Sequence, residues 1–295
     1  MKKILNYGSL NIDMVFSVEH FVRAGETISA KEVNIFSGGK GLNQSIAISR
    51  AGAKVCHLGK VGSDGVWLSE LLKENGVNTD FVSTKGSLTG TAMVQVSQQG
   101  DNCIIINHGA NGENTAQELS LALSGFGKGD IFLVQNETNE PEAAIDAAIK
   151  KGMEVALNPS PIDENVKKMN LNKITYLFLN EIEGEALSGQ REPKKICAAL
   201  LERYSKLKIV LTLGENGVLY KDADTEVYEK AVPVKAVDTT AAGDTFTGYF
   251  LAEMVLTGKV EKALKQATIA SSITVSRRGA AKSIPFRKEV NAFGK

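Results

Sequence analysis

Residues 237–246 of the chain, VDTTAAGDTF, combine small side chains with a carboxylate in a pattern that suits phosphoryl transfer. Ala241, Ala242 and Gly243 run directly into a helical pattern, and the free amides at a helix start favour a bound anion. Asp244 would face a phosphate there from the attacking side and accept a proton from a hydroxyl nucleophile. The alternative is that Asp244 only caps the helix, and spacing alone leaves both interpretations open.

A second segment, residues 36–44, places three glycines in four positions before a predicted helix. This spacing indicates either close approach of the backbone to a ligand or a strained turn. Lys40 adds a cation, and Asn43 adds a group that both donates and accepts hydrogen bonds.

Two further polar segments follow predicted strands, which is where ligands bind in open α/β sheets. Asn11 and Asp13 come just after the first strand. In the other segment, Asn180 could serve a phosphate and Glu183 a Mg²⁺-bound water, but an Asn cap followed by first-turn glutamates explains the pattern equally well.

Strand and helix patterns alternate along most of the chain, which predicts an α/β fold with parallel βαβ units and helices on both faces. An amphipathic helix is expected after residue 243, with Phe246, Tyr249, Phe250 and Met254 on or near one face. The predicted strands cover residues 3–7, 54–59, 131–135, 154–157, 174–179 and 208–213, and the predicted helices 41–51, 64–75, 141–151 and 193–206.

Residues 91–97 and 102–107 break this alternation, because they flank a turn at 98–101 and read as a hairpin. Together with residues 15–18 and 28–36 they predict a small antiparallel sheet, a flap over a substrate site. The pattern alone slightly favours the alternative, an extra edge of the main sheet.

Composition excludes several classes of function. Lys+Arg and Asp+Glu are both 34, so no basic excess points to nucleic acid. No apolar run reaches the length of about 18 residues that a membrane-spanning helix needs. Three scattered cysteines fit reduced thiols in a soluble cytoplasmic protein. No Gly-Lys pair is followed by Ser or Thr, so the P-loop is missing.

Taken together, these segments resemble the ribokinase/phosphofructokinase-B family of sugar kinases over nearly the whole chain. The resemblance implies a doubly wound, mostly parallel α/β sheet in a single domain, 1–295, with lid strands formed by about 13–36 and 89–108. The lid would cover the sugar and form a homodimer contact. The segments that carry the resemblance are 8–13, 38–44, 135–137, 158–161, 180–183, 212–217, 238–246 and 277–287.

The resemblance implies an ATP-dependent kinase, with the 5-hydroxyl of D-ribose as the leading acceptor. Alternatives are a sister kinase for fructose, 2-keto-3-deoxygluconate or another sugar, and, less favoured, a nucleoside kinase or a non-catalytic sugar-binding regulator. The implied partners are therefore a small-molecule sugar and ATP, with neither nucleic acid nor membrane.

The family motifs also imply site residues. Asp244 would be the base, with amides of Ala241, Ala242 and Gly243 stabilising the transferred phosphoryl group. The sugar would contact Asn11, Asp13, Gly39, Lys40, Asn43, Glu137 and Asp244. ATP would contact Asn180, Thr212, Gly214 and Gly217, and Glu183 would hold Mg²⁺ through water. A monovalent cation, K⁺, would lie against Asp238, Thr240, Thr274, Arg277, Gly279 and Ser283, so activation by K⁺ is expected.

One stretch departs from the family pattern. Asn107 and His108 are bulkier and more polar than the small residues expected where the lid meets the sugar. This pair leaves the identity of the sugar open.

Overall fold

The computed structural model describes residues 2–293 and contains thirteen strands and ten α-helices in that range. The strands are β1 (Ile4–Tyr7), β2 (Asn11–Ser17), β3 (Glu32–Gly38), β4 (Val55–Lys60), β5 (Asn78–Ser83), β6 (Gly90–Val96), β7 (Asn102–Asn107), β8 (Ile131–Gln135), β9 (Glu154–Asn158), β10 (Tyr176–Asn180), β11 (Lys208–Thr212), β12 (Val218–Lys221) and β13 (Glu226–Glu229). The helices are α1 (Lys40–Arg50), α2 (Val66–Glu74), α3 (Ala116–Leu123), α4 (Pro141–Lys150), α5 (Glu164–Lys168), α6 (Glu181–Ser188), α7 (Pro193–Arg203), α8 (Ala242–Thr257), α9 (Val260–Val275) and α10 (Arg287–Ala292).

Nine strands form the main sheet in the order β13-β12-β11-β10-β9-β8-β1-β4-β5. All pairs from β5 to β11 are parallel, whereas β11, β12 and β13 form an antiparallel edge. The predicted α/β fold is confirmed, and the six predicted strands all lie in this sheet. Three strands that the pattern did not predict, β5, β12 and β13, extend it at its two edges.

Helices cover both faces of the main sheet, because its central strands are apolar on both sides. One buried cluster contains residues of α1, α2, α8 and α9, and the other contains residues of α3, α4 and α7. Phe250 anchors the first cluster, with its ring centroid 5.5 Å from that of Phe178 in an edge-to-face arrangement.

Helix α8 differs from the amphipathic helix that the sequence predicts. Its residues from 245 to 253 are all buried, because α8 packs against α1, α9 and the sheet at once. A helix without a solvent-facing side is apolar around its whole circumference. At its centre, Gly248 allows close approach to α1: a Cβ there would lie 2.4 Å from the Cβ of Ala47.

The strands β3-β2-β6-β7 form a separate four-stranded sheet, hereafter the small sheet. It is not an extra edge of the main sheet, the alternative that the pattern slightly favoured. The predicted antiparallel arrangement holds for β2/β3 and β6/β7, but β2 and β6 run parallel because long connections separate them in the chain. Asn11 and Asp13 therefore begin a strand of the small sheet instead of lying in a loop.

Within residues 2–293, no helix is both long and apolar enough to cross a bilayer.

Candidate active site

Asp244 lies in the first turn of α8, where two amides from α1 hold its carboxylate. Asn43 Nδ2 donates to Oδ2 at 3.1 Å, and Gln44 Nε2 donates to Oδ1 at 2.9 Å. Both oxygens are thus oriented by neutral donors. No side chain caps α8, so the structure rules out the interpretation in which Asp244 is only a helix cap.

The backbone before Asp244 leaves amide donors at the start of α8. Ala241 precedes the helix in the left-handed conformation, with φ 61°, and the first helical bond runs from Thr245 N to Ala241 O at 2.8 Å. The amides of Gly243 and Asp244 come before that bond, where helix donors have no intrahelical acceptor. Of the three amides expected from the sequence, that of Ala242 is not available, because it donates to Thr239 O at 3.2 Å. Space around Gly243 is open, since a Cβ there would meet no heavy atom within 4 Å. An anion fits this position.

On one side of Asp244 the expected sugar residues come together. Lys40 N donates to Glu137 Oε2 at 3.1 Å, and Ser9 Oγ donates to the same oxygen. Gly39, with φ 94°, lets the start of α1 pass against Ser9, whose carbonyl would lie 2.8 Å from a Cβ at this glycine. Asn43 Oδ1 is buried and has no hydrogen-bond partner among residues 2–293, so it can accept a ligand hydroxyl.

Asp13 is the diagonal neighbour of Gly38 across β2 and β3, because Gly38 pairs with Asn11, and a Cβ on Gly38 would overlap the Asp13 carboxylate. Burial, with the negative charge of Glu137 as a second cause, raises the pKa of Asp13 to about 7. Hydroxyl groups that donate to this carboxylate would favour its charged form.

Lys40 is the cation among these acids. Burial opposes the charged form of its side chain, but the pKa of Lys40 is nevertheless raised by three carboxylates, those of Asp244, Glu137 and Glu183. Its ammonium therefore stays charged within an acidic site.

A cleft of about 810 Å³ reaches the start of α8, next to Asp244 in the chain. Thr212, Gly214 and Gly217 line it, as expected for a nucleotide site, and so do Ala242 and Gly243 from the start of α8. One wall of this cleft comes from α9 and includes Thr268 and Ser271, which were not predicted as site residues. The small and polar residues of α9 could have indicated this wall of the cleft, since they lie on a mostly buried helix.

Asn180 and Glu183 form a capping box at the start of α6. Asn180 Oδ1 accepts from Glu183 N at 2.9 Å, and Glu183 Oε2 accepts from Asn180 N at 3.0 Å. The capping interpretation is therefore confirmed for both residues. It occupies one carboxylate oxygen of Glu183 and leaves Asn180 Nδ2 outside the cap.

Asp238 joins the loop before α8 to the loop after α9. Its Oδ1 accepts from Thr240 N and its Oδ2 from Gly279 N, both at 2.9 Å. Burial would raise the pKa of Asp238, but these contacts outweigh burial and lower it. The other expected cation residues follow along the chain, where Thr274 and Ser283 are buried and the Arg277 guanidinium pairs with Glu289 at 2.7 Å.

A family model for the pfkB family carbohydrate kinases matches residues 1–287. The chain belongs to this family. It is 33% identical to a ribokinase of Haemophilus influenzae over 303 residues, covering 99% of each chain, and 35% identical to a ribokinase of Bacillus subtilis over 297 residues, covering 98% of each. A solved structure of Arabidopsis thaliana ribokinase complexed with ribose and ATP aligns with a TM-score of 0.87 at 30% identity, covering 99% of this chain and 98% of that one.

Three other residues change the sequence-based picture of the site. Asn111, which was not selected as a site residue, is buried and donates to Asn11 Oδ1 at 2.7 Å. Asn107 and His108, which were selected for specificity, are both exposed, and Asn107 pairs with Thr91 on the face of the small sheet opposite Asp13. Only the end of this stretch, at Asn111, contacts an expected sugar residue.

The raised pKa of Asp13 predicts a pH-dependent stability. Between about pH 4 and pH 7 the folded protein keeps a proton that the unfolded chain releases, so rising pH lowers the free energy of unfolding. Asp13→Asn should therefore be stabilised relative to the wild type by about 1 kcal/mol or more at pH 8, and by less at pH 5. Urea unfolding across this range measures the difference.

Asp101→Asn is the matched control, because Asp101 is exposed in the turn between β6 and β7. Its stability should follow the wild type at every pH. If the difference in the free energy of unfolding between Asp13→Asn and the wild type stayed the same at every pH, this would contradict the raised pKa of Asp13.

Proposed function

We propose that this protein is an ATP-dependent sugar kinase that transfers the γ-phosphoryl group of ATP to the 5-hydroxyl of D-ribose. One observation carries the proposal: Asp244, with both of its oxygens held by amides of α1, lies beside hydroxyl-binding groups and directly follows Gly243, which lines a cleft of about 810 Å³. A base at this point reaches a bound sugar on one side and a nucleotide phosphate on the other.

In the proposed reaction, Asp244 accepts the proton of the primary hydroxyl as its oxygen attacks the γ-phosphorus. Negative charge grows on the transferred phosphoryl group, and the amides of Gly243 and Asp244 meet it at the positive end of the α8 dipole. The bond to the leaving oxygen of ADP breaks on the opposite side.

The sugar side of the site favours a polyol. Carboxylates of Asp13 and Glu137 accept hydroxyl hydrogens, while Asn43 and Asn11 both donate and accept. A site of this kind rejects a ligand that leaves its polar groups unpaired. A nucleoside would require aromatic or apolar groups to stack its base, and only 6% of the chain is aromatic. The ribokinase relatives favour ribose over fructose or 2-keto-3-deoxygluconate.

Mg²⁺ fits beside Glu183, whose carboxylate keeps one oxygen outside the capping box. When bound, the ion neutralises charge on the ATP phosphates. Asn180 Nδ2 at the same helix start can donate to a phosphate oxygen. Thr212, Gly214 and Gly217 border the nucleotide.

K⁺ fits beside Asp238, because the loops before α8 and after α9 supply hard oxygen atoms there. These come from Asp238 and Thr240 on the first loop, and mainly from the backbone carbonyls of Thr274, at the end of α9, and of Arg277, Gly279 and Ser283 in the loop that follows. When bound, the ion would steady the loop that carries the amides of the anion site.

We also propose that the small sheet is a lid within a single domain and that it forms a homodimer contact. Ile35, Met14, Met93 and Ile105 lie in register across its four strands, on the face opposite Asp13. Ile35 and Ile105, at the two ends of this row, are 61% and 60% exposed, which is unusual for large apolar side chains that belong to one continuous apolar row. A cytoplasmic location accords with cysteines that stay free in the described part of the chain.

Replacing the base tests the chemistry. Asp244→Asn should lower kcat by about 10²–10⁴-fold, because the amide cannot accept the hydroxyl proton. Its affinity for ribose, measured by calorimetry, should stay near that of the wild type. The acceptor is identified by ADP release with Mg-ATP on D-ribose, 2-deoxyribose, D-fructose, 2-keto-3-deoxygluconate and adenosine.

Ribose should give the highest kcat/KM in this panel. Another sugar far ahead would keep the kinase and change its substrate. Binding of sugar without turnover by the wild type would favour a regulator.

Replacing K⁺ by Na⁺ or Tris should lower kcat several-fold, because the loop before α8 loses its ion. Asp238→Ala should abolish the response to K⁺. Asp224→Ala, on an exposed loop, should keep it. Equal rates in K⁺ and in Tris would contradict the proposed cation site.

Ile105→Glu should convert a dimer into a monomer, because it places a charge within the exposed apolar row, on the edge strand β7. Light scattering after size exclusion measures the mass. Leu121→Glu is the matched control, since Leu121 is 64% exposed on α3 and is not part of the small sheet. A monomeric wild type would contradict the dimer.

A further inference from the structure

A continuous series of buried polar side chains connects Asp244 to the interior of the main sheet. Five of them, Asn6, Gln44, Ser45, His57 and Gln135, are fully buried. Burying so many polar groups is costly unless each finds a partner, so their arrangement requires a reason.

The direction of the hydrogen bonds is determined at the end farthest from Asp244. His57 Nε2 lies 3.1 Å from the carbonyl oxygen of Gly8, which can only accept, so Nε2 carries the hydrogen. Burial lowers the pKa of His57 to about 4, so the ring is neutral and Nδ1 accepts. The hydroxyl of Ser45, 2.8 Å away, therefore donates to Nδ1.

The hydrogen-bond partners of Asn6 and Gln135 determine the orientation of these two amides in the same way. Asn6 Nδ2 donates to Ser45 Oγ and to Gly41 O, both at 2.8 Å, so Asn6 Oδ1 faces Gln135. Gln135 Nε2 donates to this oxygen at 2.9 Å and to Gln44 Oε1 at 2.8 Å. Gln44 must then turn its nitrogen toward Asp244 Oδ1, at 2.9 Å, and toward Asn158 Oδ1, at 3.3 Å.

A reversed Gln44 amide would place an oxygen against the Asp244 carboxylate and an NH₂ against the NH₂ of Gln135. The series excludes that orientation. We propose that Gln44 is a positioning residue for the catalytic base, and that Gln135, itself oriented by Asn6, Ser45 and His57, holds the Gln44 amide with its donors toward Asp244. The proposal rests on the proposed function in taking Asp244 as the base.

Gln44 differs from Asn43 in what it contacts. Asn43 has a free, buried oxygen for the sugar, whereas both ends of the Gln44 amide are engaged by protein groups. Loss of the Gln44 amide should therefore affect the orientation of the base and leave sugar binding intact. Misplacement of a reacting group by about 1 Å can cost on the order of 10²-fold in rate.

The test compares Gln44→Met, Gln135→Met and the double variant with the wild type, in kcat and KM for ribose and in sugar affinity. Both single variants should lower kcat by about 10–10²-fold with an unchanged KM. The double variant should be no slower than Gln44→Met, because Gln135 acts on Asp244 only through Gln44. Ser49→Ala in α1 is the control, since it removes a 2.7 Å bond to Asn75 O and leaves the series intact.

Additive losses in the double variant, or kcat within twofold of the wild type in Gln44→Met, would overturn the proposal. If Gln44→Met does not fold, Gln135→Met carries the test, because Gln135 does not touch Asp244. Asp244→Asn distinguishes a failure of the base assignment from a failure of the positioning role of Gln44. An active Asp244→Asn overturns the base assignment, whereas an inactive one beside a fully active Gln44→Met overturns only the positioning role.

Discussion

The close approach of α1 to α8 is the constraint on which the candidate site depends. Gly248 has no side chain, so the backbone of α8 lies against Ala47 and the carbonyl of Gln44, where a Cβ would be 2.4 and 2.9 Å away. That contact brings the side-chain amides of α1 to Asp244. Because protein interiors are densely packed, neither helix can shift without moving the base relative to its two donors.

The main sheet meets the site through single polar residues in otherwise apolar strands. Asn6 interrupts β1 and Gln135 ends β8, and both are fully buried. In a strand buried on both faces, a lone amide destabilises the fold unless its donors and acceptor are used. Asn6 donates to Gly41 and Ser45 of α1, and Gln135 donates to Gln44, so these hydrogen bonds fasten the helix to the sheet and orient Gln44. Among residues 2–293, Gln135 Oε1 has no partner. The hydrogen bonds that stabilise the packing of α1 on the sheet thus also position Gln44.

Local patterns predicted the alternating core and the segments that meet at the site, because strand apolarity and glycine spacing are properties of short windows. They did not predict that α8 is buried on every side, since this depends on packing by α9, a helix that lies between the motif segments 238–246 and 277–287. Nor did local patterns predict that Asn111, and not Asn107, contacts an expected sugar residue. Strand pairing decides which residue reaches Asn11, and the parallel β2/β6 pair decides which face carries Asp13. Gln44 belongs to the segment 36–44 that the sequence singles out, but its positioning role follows only from the residues that the fold brings into contact with it.

The polarity of the site differs on its two sides. Toward the sugar, the groups are mainly acceptors, with Asp13 and Glu137 close enough for one charge to raise the pKa of the other carboxyl. Toward the cleft, the groups at the start of α8 are amide donors. Hydroxyls can donate to carboxylates and phosphates accept from amides, so each side matches one reactant, and the carboxylates also repel the phosphates. Asp244 and the charged Lys40 stand at this boundary, where a proton must leave the hydroxyl and negative charge must pass to the phosphoryl group.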